Sequence, residues 1–308
     1  MRRDVLVLGV VLLVVWAMVY VNRVHLRAAQ SKNVTVLQAK PAEPESDPVV
    51  SSPGPMAAPA GLRNTIVRAP TSVYARYEAA TDVFPLAQEL RERAEHGDAD
   101  AVGPLDRIRS ECFLFMVSPA TRADASYLPR LWEKVDPSST GPIEAALARR
   151  TARCQRFTRA DLVEHDQQMA LLRSAAAKGD PQALARFMSM DLEHVPDATL
   201  VADVNDVVAS GDPEAINDLA SVMSQRTEGR QQLFDLPSGS ERSSWAWVSA
   251  ACQLGLDCGP NGQVLQDACL SGSCYPSVDA LIRDAILPPR EYRQMLKDEQ
   301  KILARIGH

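Results

Sequence analysis

The sequence predicts an all-α fold: an irregular array of antiparallel helix hairpins, α/α repeat-like, behind an N-terminal transmembrane helix and a disordered linker. Three observations lead there. Aromatic residues make up only 5% of the 308 residues while alanine is abundant, which suits closely packed helices better than strands, where β-branched and aromatic side chains are favoured. No segment shows clean period-two alternation bounded by turn residues. A glycine-aspartate-proline turn also recurs between stretches whose apolar residues fall at helical period.

The chain opens with a short charged tail, residues 1–4, expected to stay in the cytoplasm. Residues 5–21 carry no charge and are rich in valine and leucine. That is enough for a single membrane-spanning helix at the short end of the usual ~17 to 25 residues. Trp16 and Tyr20 stand near its far end, where amphipathic rings favour the interface, and Arg23 can extend to the headgroups. The rival reading is a cleaved secretory signal, which would want a shorter apolar run and a small-x-small site. Here the run continues into Val21, Asn22 and Arg23, so an uncleaved anchor is favoured. Arg2 and Arg3 are balanced by Arg23, Arg27 and Lys32, so charge alone does not orient the span; the short leading tail and the cysteines place the bulk of the chain outside the cytoplasm, on the periplasmic face of the inner membrane in a Gram-negative cell. Arginine greatly outnumbers lysine, as in GC-rich genomes, and a bacterial source is the working assumption.

Residues 22–73 form the linker. From Ala28 to Ser72 there is no aromatic side chain, and Pro41, Pro44, Pro48, Pro53, Pro55, Pro59 and Pro70 recur. Such a stretch buries too little apolar surface to offset its ordering entropy, and it can hold the next domain on the order of 100 Å from the bilayer.

Residues 74–308 are the helical domain, with a subdivision near residue 158 as one option. Two turns stand out, Lys178-Gly179-Asp180-Pro181 and Ser210-Gly211-Asp212-Pro213. Glycine ends one helix in the left-handed conformation, aspartate caps the next, and proline takes its first position, where no hydrogen bond is lost. After the turns, Ala183, Leu184, Phe187 and Met188 match Ala215, Ile216, Leu219 and Ala220 in phase. A weaker copy lies at Gly97-Asp98, and a helix with Trp245 and Trp247 as packing residues ends at Gly255. Thr158 to Asp161 reads as a capping box opening a helix that runs to Lys178, and Pro288-Pro289 opens a polar terminal helix carrying Tyr292, Met295, Ile302 and Leu303. The hairpin ends recur every ~30 to 45 residues, the range of α-helical hairpin repeats.

In Ala175-Ala176-Ala177-Lys178-Gly179-Asp180-Pro181-Gln182-Ala183 the chain resembles the close of a Sel1-like or tetratricopeptide-like repeat, and Trp247 precedes Ala251-Cys252-Gln253-Leu254-Gly255 at similar spacing. The likeness covers about a third of the folded part, and the glycine-rich middle of a regular unit is missing. It implies a binding or scaffolding role.

Six cysteines in an exported chain predict disulfides, and no pair has the Cys-x2-Cys spacing that a zinc site would want. Cys252 to Cys258 and Cys269 to Cys274 look like two versions of one device, a cysteine in the last helical turn followed by glycine and a second cysteine. Bridges Cys252–Cys258 and Cys269–Cys274 leave Cys112–Cys154. The alternative, Cys252–Cys269 with Cys258–Cys274, would join opposite ends of a helix, ~15 Å apart.

The formal charge of −6 and the lack of a basic stripe exclude nucleic acid as the main partner. No hydrolase, phosphate-loop, metalloprotease or dinucleotide motif is present, so no catalytic, cofactor-binding or metal-ligating residue is assigned. Glu164-His165-Asp166 and Glu193-His194 set bases beside carboxylates, but adjacent helical residues diverge, and a solvated helix face is the simpler reading. The expectation is a membrane-tethered extracytoplasmic scaffold for a protein or cell-envelope partner. The alternative is a hydrolase-like envelope enzyme whose site is dispersed in sequence.

Overall fold

Turns that close one helix and cap the next in a few residues punctuate the chain. In the computed structural model, described for residues 72–117, 140–225 and 234–307, the described residues are helical and contain no strand. The expected tail of residues 1–4, the expected anchor of residues 5–21 and nearly all of the expected linker lie outside the described residues. Among the described residues no helix is long and apolar enough to cross a membrane.

Twelve α-helices follow in order among the described residues: α1 Val73–Ala79, α2 Phe84–Glu95, α3 Val102–Val117, α4 Thr140–Cys154, α5 His165–Ala176, α6 Pro181–Asp191, α7 Asp197–Ser210, α8 Pro213–Ser224, α9 Glu241–Gln253, α10 Gln263–Leu270, α11 Val278–Leu281 and α12 Pro289–Ile306. All lie in one compact unit.

Asp180 accepts from the Ala183 amide, and Asp212 accepts from the amides of Glu214 and Ala215 at 2.9 Å each, so both are N-caps, with Pro181 and Pro213 in the first helical position. Gly179 and Gly211 stand at φ +90° and +61°, where a side chain would be strained. After Gly179 the Asp180 amide reaches back to the Ala175 carbonyl at 3.2 Å, and the same closure recurs after Gly97, Gly255 and Gly272, from Asp98 to Arg93, Leu256 to Ala251 and Ser273 to Ala268. The turn at Gly211 closes differently, by a single bond from its own amide to Val208.

At Gly97-Asp98 the cap opens a 3-10 turn, Ala99–Ala101, that runs on into α3. The capping box at Thr158 is present but opens only the 3-10 turn Arg159–Asp161. Residues 162–164 are not helical and α5 begins at His165, so the helix expected from Thr158 to Lys178 starts later and ends at Ala176. The reason is tertiary: Leu162 turns extended and packs its side chain against the apolar cluster beneath it.

Two large apolar clusters fill the unit, with a small third one of Ile143, Ala146 and Cys269 between α4 and α10. One joins Leu86, Leu90, Leu105, Ile108, Phe157 and Leu172, and runs without a break past residue 158. The other gathers α6 to α12 around α8, with Ile216, Leu219, Trp247, Met295 and Ile302 wholly buried. Trp247 donates its indole N–H to the Pro237 carbonyl at 2.9 Å, which settles its one polar atom in the core. The seam between the clusters falls inside α6, where Ala183 belongs to the first and Ala185 to the second.

Bridges join Cys112 to Cys154, Cys252 to Cys258 and Cys269 to Cys274, with Cα separations of 5.2, 5.7 and 4.1 Å. Cys112 and Cys154 are fully buried and tie α3 to α4.

One close approach at the seam yields a prediction. Alanine in place of a helical glycine normally gains ~1 kcal/mol. At Gly103 in α3, however, a Cβ would lie 2.9 Å from the Gln182 Cβ, an atom that cannot swing aside. Gly103→Ala is therefore expected to destabilise the domain by about 1 to 3 kcal/mol, read as a lower urea midpoint, with the sign opposite to propensity.

Candidate functional site

Along α3 the charged residues Asp106, Arg107 and Glu111 alternate with the core residues Leu105, Ile108 and Cys112, and along α8 Glu214 and Asp218 share one helical stripe. All five charged side chains are buried. Arg107 meets Glu214 at 3.1 Å and Asp218 at 3.0 Å. From α6, Arg186 reaches Asp106 at 2.8 Å and Ser110 at 2.7 Å. These ion pairs cross the seam between the apolar clusters. Burial alone would lower the pKa of Arg107, but Asp218 and Glu214 raise it well above the ordinary arginine value, so it remains a cation.

A second knot lies beside the first. Glu111 accepts from Arg153 Nε at 2.6 Å and Nη2 at 3.0 Å, and from the Tyr77 hydroxyl at 2.9 Å. Arg150 donates to the Glu111 carbonyl at 3.1 Å and to Asp267 at 2.6 Å. The Arg153 guanidinium also stacks over the Tyr77 ring, 4.9 Å from its centre. Burial, followed by the neighbouring Glu111, pushes the Tyr77 phenol well above its usual range, so it acts as a neutral donor.

A cleft of about 260 Å³ opens over these knots, between α1, α4, the start of α10 and the loop before it. Arg149 and Arg150, Tyr77, Gln263 and Gln266 are among its lining groups. One wall is the loop that carries Leu256, Asp257, Asn261 and Gly262, which begins at the Cys252–Cys258 bridge. This wall is pinned from three sides: Arg149 donates to the Pro260 carbonyl at 3.2 Å, Gln266 donates to the same oxygen, and the Val278 amide donates to the Cys258 carbonyl at 3.1 Å. At Gly262 the Asp257 carbonyl would sit only 1.8 Å from a Cβ, so no larger residue fits the wall.

The residues singled out in the sequence lie elsewhere. Gly97, Asp98, Gly179, Asp180, Pro181, Gly211, Asp212 and Pro213 build turns and do not line the cleft. Glu164, His165 and Asp166 are exposed at the start of α5. His194 is exposed, with Nδ1 2.7 Å from Asp191, and neither histidine lines the cleft above these knots. Among the described residues no group of three histidine, cysteine or carboxylate side chains could hold a metal ion. The sequence assigns no role to the cleft residues, because a charge spaced along a single helix is the ordinary mark of a solvent face. The available signal was charge placed between core positions, as at Asp106-Arg107.

The cap at Asp180 has a pH signature. Burial, together with Asp100 and Asp212, raises its carboxyl to about 6. A carboxyl raised in the folded state binds more protons folded than unfolded, so its contribution to stability falls as pH rises from about 4 to about 6. Asp180→Asn keeps the cap acceptor and removes that fall. Its urea midpoint is expected to match or exceed the parent's at pH 7, with the difference shrinking at pH 4, whereas Asp180→Ala should cost about 0.5 to 2 kcal/mol at pH 4, where the charge penalty is absent.

Compared with family models, with curated proteins and with solved structures, the chain matches none.

Proposed function

We propose that the chain is a membrane-tethered extracytoplasmic scaffold whose helical domain binds a protein or cell-envelope partner. The observation that carries the binding role is the cleft. Its deep charges, Arg107, Glu111, Arg150 and Arg153, are already held by partners within the fold. Such a surface offers a visitor fixed donors and acceptors, which suits recognition more than proton transfer. The fully buried Cys112–Cys154 bridge supports an oxidising compartment, in line with export behind the apolar segment at residues 5–21.

Two measurements test this reading. A phosphatase fused after His308 should be active and a fluorescent protein there dark; the reverse pattern would overturn the topology. A photo-crosslinking side chain at position 149, on the cleft rim, should trap a discrete adduct in intact cells. The same group at exposed position 193 should not. Equal labelling from both positions, or none from either, would remove the cleft from the function.

A further inference from the structure

Deepening the binding role proposed above, we infer that the cleft is a binding site for an α-carboxylate bearing a nitrogen donor on the same α-carbon, as presented by a peptide C-terminus or a free amino acid. Three observations converge. First, α10 opens at Gly262 without a side-chain cap, and the amides of Gln263, Val264 and Leu265 have no acceptor among the described residues. Gly262, Gln263 and Val264 line the cleft, so the positive end of the helix borders it. A carboxylate is the group such an end accommodates.

Second, Arg149 stands beside that helix start as an arginine of the lining that has no carboxylate within ion-pair distance among the described residues; its contact is the single bond from Nη1 to the Pro260 carbonyl. Its other donors are available to an anion in a paired geometry that lysine could not supply. The neighbouring arginines differ: Arg107, Arg150 and Arg153 are held by Glu214, Asp218, Glu111 and Asp267.

Third, Gln266, one turn into α10 and only 7% exposed, lines the same cleft. Its Nε2 is fixed on Pro260, which leaves Oε1 buried with no hydrogen-bond partner. A buried acceptor left unmade costs free energy, and a ligand N–H relieves it. Arg149 and Gln266 meet on the same Pro260 oxygen, so carboxylate donors and a lone acceptor stand together in one lining and match the two polar groups of a terminal residue; backbone capture of a C-terminal carboxylate is a recurring recognition mode. The apolar lining is Leu256, Val264, Ala79, Ala80 and Ala152, which suits a small side chain.

Tri-alanine is the probe, titrated into the full chain in detergent and followed by ligand-observed saturation-transfer NMR. Tri-alanine should bind, and its C-terminal amide should bind at least about tenfold more weakly, since a charge-assisted pair is lost. Free alanine separates the sources: binding equal to the tripeptide assigns the site to amino acids, and weaker binding assigns it to peptide ends. Arg149→Glu, on the rim and outside the core, should lower affinity by at least about tenfold while the domain keeps a single melting transition, the wall still being held by Gln266 and Val278. Gln266→Leu should weaken both ligands. Equal binding of acid and amide, undiminished binding by Arg149→Glu, or no detectable binding of any probe would overturn the assignment. If the crosslink from position 149 persists while these probes fail, the scaffold reading survives and only this ligand class is lost.

Discussion

Replacing Cys112 and Cys154 together with alanine is expected to lower stability by about 4 kcal/mol, more than the loss of either other bridge. The pair spans 42 residues of sequence, whereas Cys252–Cys258 and Cys269–Cys274 span 6 and 5. Loop-closure entropy grows with the logarithm of loop length, so the short loops are worth nearer ~2 kcal/mol each. Packing adds to the difference. Both Cys112 and Cys154 are fully buried among Ile108, Met116 and Phe157, so the smaller side chains also leave space that the core must close. Against a typical total of about 5 to 15 kcal/mol, the double variant would populate unfolded chain at body temperature, while Cys252→Ala/Cys258→Ala would remain folded. Urea titrations of the three double variants give the order directly. A smaller loss for the long bridge than for a short one would overturn this ranking.

Much of the fold is legible in the sequence because its signals are local. Asp180 and Asp212 cap helices through bonds to residues two or three positions on, and the glycines before them close helices through bonds to residues five or fewer positions back. The same locality makes the two short disulfides readable, since each spans a helix-ending glycine, Gly255 or Gly272, within a few residues. Where a distant contact competes, the reading fails: the box at Thr158 forms, yet Leu162 is drawn into the first apolar cluster and the helix waits until His165.

The seam and the cleft are the least legible parts, for the same reason. Arg107 and Asp218 are 111 residues apart, and Arg150 and Asp267 are 117 apart. On a single helix, a charge every third or fourth position is the ordinary mark of a solvent face. Only when α3 is placed against α8 at Arg107, and against α1 and α4 at Glu111, does the stripe Arg107-Glu111 become interior. Burying so many charges is a poor source of stability, since apolar residues would pack there at lower desolvation cost. What the ion pairs are expected to supply is register. Apolar surfaces slide with little penalty, whereas Arg107 between Glu214 and Asp218 fixes how the two clusters meet, and the cleft is built across that junction.

Arg107→Met should destabilise the domain by about 3 to 5 kcal/mol, because it strands buried carboxylates rather than because the ion pairs are strong. Asp218, buried and already pushed upward by desolvation, would lose its nearest cation, with Arg186 left 3.8 Å away, and Glu214 would lose its guanidinium partner. The sign of the pH response follows. With the cation gone, the Asp218 carboxyl rises further above its unfolded value, so the variant should lose stability as pH climbs from about 4 toward neutrality. Adding Glu214→Gln and Asp218→Asn to Arg107→Met removes the stranded charges and should recover more than half of the loss, measured by urea denaturation at pH 7. Recovery of stability without recovery of a single melting transition would mean that the ion pairs specify the register of the two clusters. No recovery at all would mean that the pairs themselves hold the domain together, contrary to the desolvation argument.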